Sequence, residues 1–164
     1  MAITRSHVIQ RYGRGIRAFA AVAIAVGVAS FLAYAIVAVG MGNFDCASGV
    51  FLAPAHDVDT GHFYRPLLSD IGYGGTRYFP IFFLVIAAFL KAGAGILTAG
   101  WLACAVSAVV LVTGMYRLVR RLDGPKWMAA LFAAASLAPY FVQQTLFEVR
   151  ADVLAAAFNL WGLA

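Results

Sequence analysis

The residues with the widest chemical reach in this 164-residue chain are carboxylates and arginines, gathered into two polar stretches between long apolar runs. Asp45 directly follows the first run, and Asp57, Asp59, Arg65, Asp70 and Arg77 share its stretch; Glu148, Arg150 and Asp152 make up the second. A carboxylate can take the proton from a nucleophile, and a guanidinium can grip a phosphate through two parallel N–H donors. Each type also has a plainer use. An aspartate at Asp45, opening a segment of helical character, accepts backbone N–H bonds and suits the helix dipole. Arg65, Arg77 and Arg150 are equally suited to lipid headgroups or to the neighbouring acids, and Glu148 either pairs with Asp152 or balances Arg150.

Other groupings carry less. His56, Asp57, Asp59 and His62 do not converge: on a helix 56 and 59 share a face while 57 and 62 diverge, so no metal site is assigned there. Gly72-Tyr-Gly-Gly75 lacks the Gly-Lys-Ser/Thr ending of a phosphate-binding loop and reads as a turn. Tyr78, Phe79, Phe82 and Phe83 read as an interfacial aromatic belt, or, more boldly, as a surface for an apolar lipid chain. Lys91 reads as a snorkelling cation.

These residues must be positioned by a membrane scaffold. Hydrophobic residues make up 63% of the chain and charged ones 12%, with a mean hydropathy of +0.88, whereas soluble domains run at about 45–50% and about 25%. The polar surface needed to cover a water-soluble globule is missing. The net charge of +5 does not point to nucleic acid, because the basic residues flank apolar runs as topogenic charges do. Cys46 and Cys104 do not form a disulfide framework, since Cys104 lies midway along an apolar run.

The expected fold is an all-α integral membrane bundle, multi-spanning, with short juxtamembrane helices in its external loop. Spans are expected at about 18–41, 96–119 and 127–146, with another beginning at 153 and cut short at 164. The chain therefore reads as the N-terminal piece of a longer protein, a single part of one polytopic domain. Ala18–Met41 exceeds the ~7–15 residues of a signal-peptide core, so it reads as an uncleaved anchor. Tyr78–Leu90 covers only ~20 Å as a helix against a hydrocarbon core of ~30 Å, too short to cross. Leaving it uncrossed puts Arg5, Arg11, Arg14, Arg17, Arg117, Arg120, Arg121 and Lys126 on the cytoplasmic side, with loops 43–95 and 143–152 outside. Every acid but Asp123 is then external. Ala25, Ala29 and Ala33 form a small-residue stripe that would favour close packing, or simply reflect alanine richness.

In that order the features resemble a known family. A basic N-terminus and one span are followed by an acid at the outer end and a short helix. Then come Gly61-x-x-Tyr64-Arg65, the Tyr78-Phe-Pro80 aromatic-proline group, a short apolar helix and, two spans later, Arg150-x-Asp152. Over roughly Arg11 to Ala164 this is similar to the N-terminal part of the C-type membrane glycosyltransferases, polytopic enzymes that use lipid-phosphate-linked sugars. The resemblance implies transfer from a polyprenyl-phosphate sugar to an acceptor, with inversion, at the external face of the plasma (inner) membrane, by an enzyme inactive as this piece alone. It implies catalytic roles for Asp45, as general base or acceptor-orienting group, and for Asp152, with Arg65, Arg77 and Arg150 on the donor phosphate. The family often has Asp-Glu where this chain has Asp45-Cys46, so no metal ligands are assigned, although a divalent metal remains compatible. The lipid bilayer and the donor lipid are the expected partners. The alternatives are a transporter whose Asp45, Arg150 and Asp152 line a polar path, or a non-catalytic interaction module.

Overall fold

The computed structural model describes residues 3–41, 46–64, 66, 68–70, 72–73 and 80–164. Among these described residues seven helices follow in chain order: α1 (Ile3–Met41), α2 (Cys46–Asp59), α3 (Ile81–Lys91), α4 (Ile96–Arg121), α5 (Lys126–Ala135), α6 (Tyr140–Phe147) and α7 (Asp152–Leu163). Between α2 and α3 a minimal antiparallel hairpin pairs Leu68–Ser69 (β1) with Gly72–Tyr73 (β2). Among the described residues two helical segments, Arg17–Val37 and Ile96–Arg121, are long and apolar enough to cross a membrane.

The apolar stretch 127–146 is not the single straight span its composition suggests. It is broken into α5 and α6, whose axes bend by 63°. The cause is Pro139, the residue immediately before α6: it lacks an N–H and disfavours helix at the residue before it. Pro80 and Pro125 precede α3 and α5 in the same way. α3, at 11 residues, is the short helix expected after the aromatic-proline group.

Helix α4 is central, packing against α7, α5, α3, α6 and α2. The core combines Phe51, Leu52 and Ala55 of α2, Phe82, Phe83 and Ile86 of α3, Ala99, Ala103, Cys104 and Leu111 of α4, and Val153, Leu154 and Ala157 of α7. Phe51 meets Phe82 edge to face at 5.7 Å. Contacts fix the helix directions. Gly100 abuts Val149 while Gly114 abuts Trp161, so α4 and α7 run the same way. Along α1, Gly27 faces Ala138, and Phe31 and Tyr34 face Phe147, so α1 advances with α5 and α6. A tight turn between α4 and α5 reverses the chain. α1 and α4 are therefore opposed, and the segment joining them begins and ends at the same end of the bundle.

The face of α1 that packs is the one carrying Ile24, Gly27, Phe31 and Tyr34; Ala25, Ala29 and Ala33 are exposed. The alanine stripe thus meets no other helix among the described residues. Large apolar side chains on the same helix, Phe19 and Ile36 among them, are about three-quarters exposed, as a lipid-facing surface requires.

Candidate functional site

Four helices end in the same hydrogen-bond arrangement, and the fourth builds the site. At the ends of α2, α3 and α4 an N–H reaches back five residues: His62 to Asp57 O (2.7 Å), Ala94 to Phe89 O (3.0 Å) and Gly124 to Val119 O (3.0 Å). The residue before that donor is left-handed: Gly61 (φ 92°), Gly93 (φ 92°) and Asp123 (φ 58°). This is the Schellman termination, which glycine or a small polar residue normally fills. At the end of α6 the Arg150 N–H reaches Thr145 O at 3.2 Å, and the left-handed residue is Val149, φ 55°. A β-branched residue there is a true outlier, strained by roughly 1–2 kcal/mol.

That conformation is held by its surroundings. Val149 is wholly buried, its Cγ atoms filling the notch that Gly100 leaves in α4. The last carbonyls of α6 are collected by donors from elsewhere: Ser48 of α2 donates to Glu148 O, and the Trp101 indole of α4 to Phe147 O at 3.4 Å. These would otherwise be orphan acceptors at a helix end. Elements a hundred residues apart thus fix one turn.

The turn presents Glu148, Arg150 and Asp152 together. Arg150 Nε donates to Asp152 Oδ2 at 2.9 Å, and its Nη1 lies 3.7 Å from Glu148 Oε2, close enough for attraction but too long for a good hydrogen bond. The Glu148 side chain is 14% exposed, Arg150 29% and Asp152 45%. Gln144 donates to Glu148 Oε1 at 2.7 Å, whereas Glu148 Oε2 is buried with no hydrogen-bond partner among the described residues. The guanidinium also lies 6.0 Å from the Phe141 ring centroid. Arg150 lies between the two acids, so Glu148 faces Arg150 and is linked to Asp152 only through it. Asp152 is also the first residue of α7, where a negative charge suits the helix dipole.

Beside this cluster runs an apolar groove of about 240 Å³, lined by Phe51, Ile81, Phe82, Leu154 and Phe158, with Asp152 on its edge. The arrangement places a carboxylate in the lining of a hydrocarbon-like slot, with a cation bonded to it. Such a site can seat an amphiphile whose anionic head meets Arg150 and whose tail enters the groove. Among the described residues no three His, Cys, Asp or Glu side chains gather as a metal would require, and His56 and His62 point outward, exposed. Asp45, Arg65 and Arg77 lie outside the described residues.

Some members of the site escaped the sequence reading. Ser48 is one hydroxyl in an apolar helix, and Trp101 near the start of a span looks like an interfacial anchor. Gln144 was a visible signal: a polar side chain one helical turn before Glu148.

Among the described residues, this is a predominantly helical protein with two helices long and apolar enough to cross a membrane and a compact charged cluster at one end of the bundle. No family model, curated protein or solved structure matches the chain.

Proposed function

We propose that the chain belongs to a glycosyltransferase that moves a sugar, with inversion, from a polyprenyl-phosphate donor to an acceptor. The reaction would occur at the external face of the plasma (inner) membrane, with the N-terminus cytoplasmic. The observation that carries this reading is Arg150 gripped between Glu148 and Asp152, with Asp152 itself lining the apolar groove. A phosphate on a hydrocarbon chain calls for that pairing of cation and slot. In the displacement, the acceptor oxygen bonds to the anomeric carbon as its proton passes to a carboxylate. The bond from that carbon to the phosphate oxygen breaks, and the electron pair leaves on the phosphate. Asp45 is the proposed base and Asp152 the second acid. Arg150, with Arg65 and Arg77, would neutralise the leaving phosphate. Ser48 of α2 is bonded to Glu148 O, which brings the start of α2 to the charged cluster.

A transporter is the second reading, favoured by the broken helix α5–α6, since discontinuous helices often flank transport sites. At this break, however, the freed carbonyls of Leu137 and Ala138 accept from the Gln143 amide, each at 3.2 Å. The break is therefore internally satisfied, and the charged cluster sits at a helix end, away from mid-span.

The test is initial-rate measurement on the full-length enzyme with a polyprenyl-phosphate sugar. Asp45→Asn and Asp152→Asn should each lose ~10²–10⁴-fold in rate with insertion intact, because Asn keeps the size and can still cap a helix. Asp57→Asn and Asp59→Asn should be mild. Near-normal turnover in Asp45→Asn beside a dead Asp57→Asn or Asp59→Asn would mean the base is misassigned.

A further inference from the structure

The opposite end of the bundle carries a second built feature, unconnected with the transfer site. A Cβ on Gly114 would lie 2.8 Å from Cδ1 of Trp161, so the glycine in α4 leaves a slot that the indole of α7 occupies. The indole N–H is fixed on Val110 O at 2.9 Å, and the Arg117 guanidinium lies over the ring, 4.6 Å from its centroid. Arg121 lies one turn further along the same face. Arg120 is turned aside onto Gly124 O at 2.7 Å. A guanidinium has five donors, so each keeps most of its capacity for another acceptor. The ion pairs among the described residues involve Arg150; Arg117, Arg120, Arg121 and Lys126 have no acidic partner there, and all four are exposed.

Depth identifies what would fill this site. From Ile96 to Arg117 the helix rises ~32 Å at 1.5 Å per residue, about the thickness of a hydrocarbon core. If α4 crosses a membrane, Arg117 and Trp161 lie at its phosphate layer, where tryptophan is favoured. Leu122, 74% exposed, flanks them with apolar surface. An anionic head above an exposed leucine is the chemistry of a phospholipid.

We propose that Arg117 and Arg121, braced by Trp161 in the Gly114 slot, form a binding site for the headgroup phosphate of an anionic phospholipid. The site needs the membrane placement of α4 but not the transferase activity. Uniform attraction of basic residues to an anionic surface depends on charge alone, about fivefold in affinity per cation. A built site also depends on shape, because lysine keeps the charge but loses the planar fork and the stacking.

The full-length protein in nanodiscs of phosphatidylcholine alone, or with phosphatidylglycerol added, distinguishes these cases by native mass spectrometry of retained lipid. Wild type should retain phosphatidylglycerol selectively. Arg117→Lys and Trp161→Phe should each weaken retention about tenfold or more, while unfolding in phosphatidylcholine discs confirms that each variant is folded. If Trp161→Phe does not fold, Arg117→Lys decides alone. Equal retention of both lipids by wild type would overturn the proposal, as would full selectivity in Arg117→Lys. Displacement of the lipid by millimolar inorganic phosphate would instead indicate a free-anion site. Failure of wild type to enter phosphatidylcholine discs would overturn the membrane placement itself, and the lipid site with it.

Discussion

Val149 and Gly100 fit together so closely that a Cβ on the glycine would stand 2.7 Å from Cγ1 and 3.1 Å from Cγ2 of the valine. This contact locks α4 to the turn that carries Arg150, and it makes glycine substitutions in this protein opposite in sign. Gly100→Ala should destabilise by ~1–3 kcal/mol, the usual cost of overpacking. Gly49→Ala, in an exposed part of α2 with nothing within 4 Å, should stabilise by ~0.5–1 kcal/mol through helix propensity. Thermal unfolding in detergent reads both, and equal shifts would show that the notch is not tight.

The left-handed turn itself predicts an inverted ranking at position 149. Both Val149→Ala and Val149→Gly lose the packing of a buried side chain, but only glycine relieves the left-handed strain. Val149→Gly should therefore be the more stable of the two by ~1 kcal/mol, opposite to the order expected in a helix. Greater stability of Val149→Ala would mean that the backbone there is not held at positive φ.

Directions of the helices predict accessibility. Asp70 and Asp123 are both exposed and lie in connections at opposite ends of the bundle. In a cysteine-free background, Cys at 70 should react with an impermeant thiol reagent added outside intact cells, and Cys at 123 only after permeabilisation. Labelling of both from outside would require α3 to cross, and would dismantle the proposed placement of the acids.

Much of this architecture was legible because it depends on local chemistry. The length of Tyr78–Leu90 and the lysine and glycines after it define a short helix, and α3 stops at Lys91 with Gly93 left-handed. The break between α5 and α6 was equally legible, in Pro139, but apolar composition alone reads 127–146 as continuous. What local chemistry does not encode is the tertiary closure of the site. Nothing in the sequence near Ser48 indicates a bond to Glu148 O, a hundred residues away. Val149 actively misleads, because the left-handed ending of a helix is sought at glycine. Ala25, Ala29 and Ala33 are exposed, and their spacing alone does not say which helix would lie opposite them.

The charge cluster gives the final prediction. Arg150 serves two carboxylates in unequal settings: Glu148, 14% exposed, with Oε2 lacking a hydrogen-bond partner among the described residues, and Asp152, 45% exposed. Removing a cation from beside a buried carboxylate leaves that charge uncompensated, whereas an exposed one is screened by water. Arg150→Gln should thus destabilise the fold by ~1–3 kcal/mol. Adding Glu148→Gln should recover most of the loss, because a neutral amide needs no counter-charge and can still meet Gln144. Adding Asp152→Asn should recover little. Unfolding of the four variants (Arg150→Gln, Glu148→Gln and the two doubles) against wild type and Asp152→Asn measures both couplings. If Asp152→Asn is the better rescuer, the 2.9 Å pair with Asp152 dominates and Glu148 is held chiefly by Gln144.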